Sequence, residues 1–200
     1  MIVLILVLLV LVALALLEIQ RQRRLRAQQQ RSQQLRDRTL FDLQMGDIVQ
    51  AEAADWVVEE RLLYDQNGFQ WFEYLLRNEG SNRWLVVCED DWLEVSWLET
   101  LDLEAPPTVP LPKSLEIDGD TYMLKEEGKA TVTASYRKMN KRPGECQFAD
   151  YSGPDQKVLG VEIFAPNQEG REVEVTIGRL IDPRSLNLLP GDGRSVYRPG

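Results

Sequence analysis

The sequence predicts an all-β domain, an antiparallel barrel or barrel-like sandwich of about ten strands built from two similar halves, preceded by an N-terminal transmembrane helix. Three observations predict it. Residues 1–17, MIVLILVLLVLVALALL, are apolar without interruption; beyond Leu40 apolar and polar residues alternate; and an internal echo divides that later part in two.

The apolar run comes first. At about 1.5 Å per residue a helix of this length spans ~26 Å, near the lower limit for crossing a bilayer, and flanking residues extend it. A cleaved signal peptide would begin with a basic segment, which is missing here, although Ala13-Leu14-Ala15 imitates a cleavage site. On the other flank stand Arg21, Arg23, Arg24, Arg26, Arg31, Arg36 and Arg38, opposed only by Glu18 and Asp37. Arginine beside an apolar span stays on the cytoplasmic side, so the N-terminus is expected outside and the rest of the chain inside. Arg21, Arg23, Arg24 and Arg26 lie closest to the membrane surface, where each adds about 1 kcal/mol through anionic lipid. Residues 18–39, rich in Gln and Arg and without an apolar stripe, read as a helical continuation or a solvated stalk.

Charge then excludes partners. The chain carries a formal −9, yet residues 1–38 hold seven of its 23 Lys and Arg and only two of its 32 Asp and Glu. The remainder is therefore more acidic still, and nucleic acid is not an expected partner. Histidine is absent, which removes Ser-His-Asp and Cys-His mechanisms and histidine metal sites. Cys88 and Cys146 are too few and too far apart for a disulfide scaffold or a CxxC site, and read as small core residues in a reducing compartment.

The β domain is expected over residues 40–182. Trp56, Val58, Leu62 and Tyr64 alternate against Glu59 and Arg61; Leu93, Val95 and Trp97 against Glu94 and Ser96; Ala130, Val132, Ala134 and Tyr136 against their polar neighbours; and Val173, Val175 and Ile177 against Glu172, Glu174 and Thr176. Such alternation predicts antiparallel strands with one buried face. Asn67-Gly68, Asp118-Gly119 and Glu169-Gly170 supply turns between them.

The echo pairs MGDIV at 45–49 with DGDTY at 118–122, and FEYLL at 72–76 with ADYSG at 149–153. It predicts pseudo-repeats over 43–104 and 115–182, with the proline-rich APPTVPLPK at 105–113 as their seam. That seam joins either two halves of one barrel or two tandem SH3-like barrels; the first is preferred because closure removes exposed edges and a ~70-residue half is marginal alone. Residues 183–200, which end in LPGDGRSVYRPG, read as a loose tail.

Along MGDIV, WFEYLL, RWLVVCEDD, CQFADYS and VLGVEI, residues 43 to about 182 resemble a bacterial family, domain of unknown function 4178. The resemblance implies an envelope-associated or membrane-anchored setting and brings no catalytic residues with it.

Three features are candidates for function. Glu89, Asp90, Asp91 and Glu94 in CEDDWLE resemble hard-cation ligands, but lack the spacing and glycine of a calcium loop, so a solvated turn competes and no metal site is expected. Trp56, Trp71, Trp84, Trp92 and Trp97 form either a β core or a stacking platform, with Trp71 or Trp92 at a rim. Finally, Glu73-Tyr74 and Asp150-Tyr151 are echoed acid–tyrosine pairs. Alternation puts Glu73 on the face of Trp71; if that face is internal, Glu73 and Asp150 project into one barrel as a pocket for a cation or amine, and otherwise they point to solvent. The ligand-binding candidates are thus Trp71, Glu73, Tyr74, Asp150 and Tyr151.

These readings converge on a single-pass, N-out protein of a bacterial inner membrane, a cytoplasmic-facing binding or assembly module without cofactor. Its expected partners are the bilayer and a protein or small cationic ligand. The alternatives are a hydrolase using Glu73 and Asp150 and a barrel that binds a small cationic ligand in an apolar or acidic cavity.

Overall fold

The computed structural model describes residues 22, 38–134, 143–164 and 172–191. From residue 39 on, the chain forms an antiparallel sheet: β1 (Ile48–Ala51), β2 (Ala54–Gln66), β3 (Phe69–Asn78), β4 (Ser81–Glu89), β5 (Leu93–Thr100), β6 (Ser114–Ile117), β7 (Asp120–Ala134), β8 (Gly144–Ser152), β9 (Lys157–Phe164), β10 (Glu172–Leu180) and β11 (Asn187–Leu189). Hairpin turns fall where short-range chemistry puts them. Asn67 and Gly68 both take positive φ, as the tight connection between β2 and β3 requires, and Asp118 with Gly119 do the same between β6 and β7.

The order across the sheet is β11-β1-β2-β3-β4-β5-β10-β9-β8-β7-β6, so β1–β5 run in chain order and β10–β6 in reverse. The two longest strands close it. β2 pairs with β1 through Ala54–Val57 and then, through Leu62–Asp65, with Thr131–Ala134 of β7. The closure makes an uneven, barrel-like ring of eight strands, β2-β3-β4-β5-β10-β9-β8-β7. All eleven strands belong to one sheet rather than to two separate barrels.

β2 and β7 change face part-way along, and each does so at a bulge. The register of β2 on β3 slips between Val58 and Glu60, and that of β7 on β8 between Leu124 and Glu126. A bulge inserts one residue and re-aims those that follow. Trp56 and Val58 therefore pack outside the ring with Val49, Tyr74, Leu85, Val95 and Trp97, whereas Leu62 and Tyr64 turn inward to Trp71, Leu75, Trp84 and Phe148. This corrects the single face expected for Trp56, Val58, Leu62 and Tyr64.

A second correction concerns burial: the strands are covered on both faces. The outer face of β2–β5 packs beneath Leu40, Phe41, Leu43 and β1, and the outer face of β8–β10 beneath Leu101, Leu103, Leu111 and Leu115. The proline-rich seam is accordingly a cover for the second outer cluster through Leu111, tied down where Leu124 N–H donates to the Lys113 carbonyl at 2.9 Å. The domain also continues beyond residue 182. Pro183–Ser185 form a 3-10 turn, β11 pairs with β1, and Gly191 N–H donates to Asp47 Oδ1 at 2.8 Å. Only residues 192–200 of the expected tail lie outside the described part.

Among the described residues no helix is long and apolar enough to cross a membrane. The apolar run 1–17, most of the 18–39 stalk, and Arg21, Arg23, Arg24 and Arg26 fall outside the described residues.

Candidate functional site

Period-two alternation in β3 puts Trp71, Glu73 and Leu75 on one face, and the closure of β2 on β7 makes that face the inside of the ring. On β5 the inward positions are Glu94, Ser96 and Leu98; on β8, Phe148, Asp150 and Ser152; on β9, Val158, Gly160 and Glu162. The polar residues of the alternating pattern thus face the ring, where Glu73 and Glu162 are buried while Asp150 and Ser152 stay open to solvent. They line a cavity of about 150 Å³.

One wall is aromatic. Trp71 stacks on Tyr64 at 4.9 Å between ring centroids and meets the edge of Phe148 at 5.2 Å. Such contacts add to the large area an aromatic pair buries. Gly160 keeps the opposite wall open. It lies between Asp150 and Thr176 across the two adjacent ladders, and a Cβ there would stand 2.8 Å from Thr176 Oγ1.

The electrostatics are one-sided. Glu73, Glu94, Glu126, Asp150 and Glu162 line the cavity, and among the described residues Lys125 is the one cationic side chain in its wall. Glu126 and Asp150 are directly opposed across β7 and β8, an unfavourable cross-strand arrangement of like charges. Asp150 is crowded by protein atoms on the cavity wall, yet its side chain stays open to solvent through the cavity. Burial first, then Glu162 and Glu126, push its carboxyl up to about 7. Glu94 behaves oppositely: burial works to raise it, but hydrogen bonds from Trp92 Nε1 at 2.9 Å and Lys125 Nζ at 3.0 Å outweigh burial and hold it below the usual carboxylate range.

Neighbouring groups stay neutral. The Tyr64 hydroxyl donates to Glu73 Oε2 at 3.3 Å, and burial with the Glu162 and Glu73 charges drives its own ionisation well above the ordinary tyrosine value. Burial, followed by Glu94 and Asp150, raises the Cys88 thiol to about 11, so it is not a thiolate near neutral pH. No three Asp, Glu, Cys or His side chains among the described residues converge as a metal site.

Of the five expected ligand-binding residues, Trp71, Glu73 and Asp150 line the cavity. Tyr74 does not: its ring belongs to the first outer cluster, where burial lifts its hydroxyl to about 12 despite Arg61. Tyr151 also borders the cavity, but its ring packs in the second outer cluster and its hydroxyl donates to the Pro112 carbonyl at 3.0 Å. The echo itself is displaced. Counting from the two bulges, Leu75 and Asp150 occupy matching positions, opposite Glu60 and Glu126, so Asp150 corresponds to Leu75 and Tyr151 to Leu76. A shift of two residues preserves the face, which is why Glu73 and Asp150 both point inward. The glycine-aspartate echo is displaced as well: Gly119 lies in the β6–β7 turn, whereas Gly46 precedes β1.

Sequence reasoning missed Glu126, Glu162 and Lys125 and gave Glu94 a different setting. Glu94 and Glu162 stood in the polar phase of alternating strands, the signal that could have found them. Glu89, Asp90 and Asp91 are exposed at the β4–β5 turn beside Trp92, itself 67% exposed.

Residues 44–183 match the family described as Domain of unknown function (DUF4178). The chain belongs to the DUF4178 family. The match spans the chain from just before β1 to the 3-10 turn, taking in every strand that lines the cavity. No curated protein and no solved structure matches the DUF4178 chain.

Proposed function

We propose that this DUF4178 protein is a binding module held at the cytoplasmic face of a bacterial inner membrane, and that its ring cavity takes a small organic cation. The observation that carries the reading is a cavity wall with five carboxylates and, among the described residues, a single lysine, in which burial and the charges of Glu162 and Glu126 raise Asp150. A positive ligand relieves that repulsion, and the Trp71–Phe148 wall receives its apolar part. A cavity of about 150 Å³ suits a molecule of about benzene size.

The membrane address rests on residues 1–17 and the arginine collar that follows. The architecture is read as two similar five-strand halves of one barrel. No reaction is part of the proposal, and the acidity of the domain argues against nucleic acid.

Calorimetric titration of the full chain in detergent micelles with butylammonium chloride tests the binding reading. Saturable binding that Asp150→Asn weakens is expected; no saturable heat at millimolar amine would overturn it. For the address, protease added outside intact cells should leave the β domain whole, and its digestion would contradict the orientation.

A further inference from the structure

Lys125 is placed where the cation would be. It sits at the bulge of β7, and its ammonium reaches Glu94 on β5, a strand that is not its neighbour in the ring, with Nζ 3.0 Å from Oε2 and 3.3 Å from Oε1. Both residues belong to the cavity wall, and both side chains are partly open to solvent, so the pair lies at the mouth. Trp92 Nε1 holds the same Glu94 Oε1 from the solvent side at 2.9 Å. Asp150, itself open to solvent, has no hydrogen-bond or ion-pair partner among the described residues and lines the same cavity.

We propose that Lys125 is a displaceable latch across the cavity mouth and that the ligand is a primary amine, whose ammonium supplants the Lys125 ammonium between Glu94 and Asp150 while its short apolar tail lies against Trp71 and Phe148. This rests on the reading of the cavity as a cation site and adds the ligand's class and its manner of entry. Three lines support it. A primary ammonium brings three N–H donors, matching a wall rich in acceptors: five carboxylates and the hydroxyls of Ser96, Ser152 and Thr176. A quaternary ammonium has no N–H and is recognised by aromatic cages, whereas the acidic end of this cavity offers carboxylates. A partly exposed lysine–glutamate pair is also weak enough to exchange, and its loss costs the fold little.

The experiment compares the full wild-type chain with Lys125→Met in micelles, titrating butylammonium chloride, tetramethylammonium chloride and sodium chloride at matched ionic strength. Circular dichroism monitors the fold. The wild type should bind butylammonium in preference to the other two, and Lys125→Met should bind it roughly three- to tenfold more tightly, the gain from removing a weak exposed competitor. In the wild type, the Lys125 ε-methylene resonance should move with the same binding curve. Unchanged or weaker affinity in Lys125→Met, with the wild type still binding, overturns the latch and leaves the cation site standing. Equal binding of tetramethylammonium overturns the primary-amine assignment. If neither protein binds any amine, the cation reading fails and the latch with it. Lys125→Gln repeats the comparison should the methionine variant lose its circular-dichroism signature.

Discussion

Leu75, Trp84 and Leu98 lie side by side across β3, β4 and β5 and plug the ring from one side; Asp150, Gly160 and Thr176 hold the matching positions across β8, β9 and β10 and leave it hollow. The backbone plan is shared down to the bulges, and even the glutamate that faces each trio recurs, Glu60 opposite Leu75 and Glu126 opposite Asp150. What differs is volume and polarity. Leu75, Trp84 and Leu98 are buried, and the indole N–H of Trp84 finds Thr100 Oγ1 at 3.3 Å. On the other side a glycine replaces the indole and a carboxylate replaces the isobutyl group, so water and charge enter. The comparison teaches that a ring can be held closed by one half while the other gives up packing for a cavity.

The largest effect should come from hollowing the filled side. Trp84→Ala is expected to cost about 3–5 kcal/mol, the usual range for truncating a buried large aromatic, read as a lower urea midpoint with unchanged slope. Filling the hollow side should cost less and remove more function. Gly160→Leu introduces a branch where even a Cβ meets Thr176 Oγ1 at 2.8 Å; about 1–3 kcal/mol of overpacking is expected, with butylammonium binding abolished. If Gly160→Leu binds the amine as well as the wild type does, the hollow is not the site.

Asp150→Asn sharpens the contrast through pH. The folded carboxyl titrates at about 7, against roughly 4 in the unfolded chain. Between those values the native state holds more protons than the unfolded state, so stability falls as pH rises, and the full penalty is present above pH 7. The variant should therefore melt higher than the wild type at pH 8 and together with it at pH 4. Equal melting at both would place Asp150 in ordinary solvent. Smallest of all, Trp92→Ala removes an exposed side chain at the β4–β5 turn, and its unfolding free energy should stay within about 0.5 kcal/mol of wild type.

How much of this was legible in the sequence depends on the element. β3 was readable because alternation in QWFEYLL places Trp71 and Glu73 together, and the all-β antiparallel class followed from the same periodicity. The turns at Asn67-Gly68 and Asp118-Gly119 were readable from local backbone chemistry. The bulges were not: Trp56, Val58, Leu62 and Tyr64 keep an unbroken period of two in the sequence, and only the slip at Glu59 sends the first two outward and the last two inward. Nor could alternation say which face was wet. Glu94 and Glu162 belong to the polar phase whether that phase meets bulk water or an enclosed cavity, and ring closure between Leu62–Asp65 and Thr131–Ala134 decides it from residues about 70 positions apart. Long-range register of that kind leaves no local trace, so Lys125 had no sequence signal as a partner for Glu94.

The most direct test is a carbon-13 carboxyl titration of Asp150 in the full chain, run with and without butylammonium. The account predicts a midpoint close to 7 in the free protein and a clear downward shift once the ammonium is bound, because a positive charge beside the carboxylate favours its ionised form. A midpoint near the ordinary aspartate value, unmoved by the amine, would contradict it.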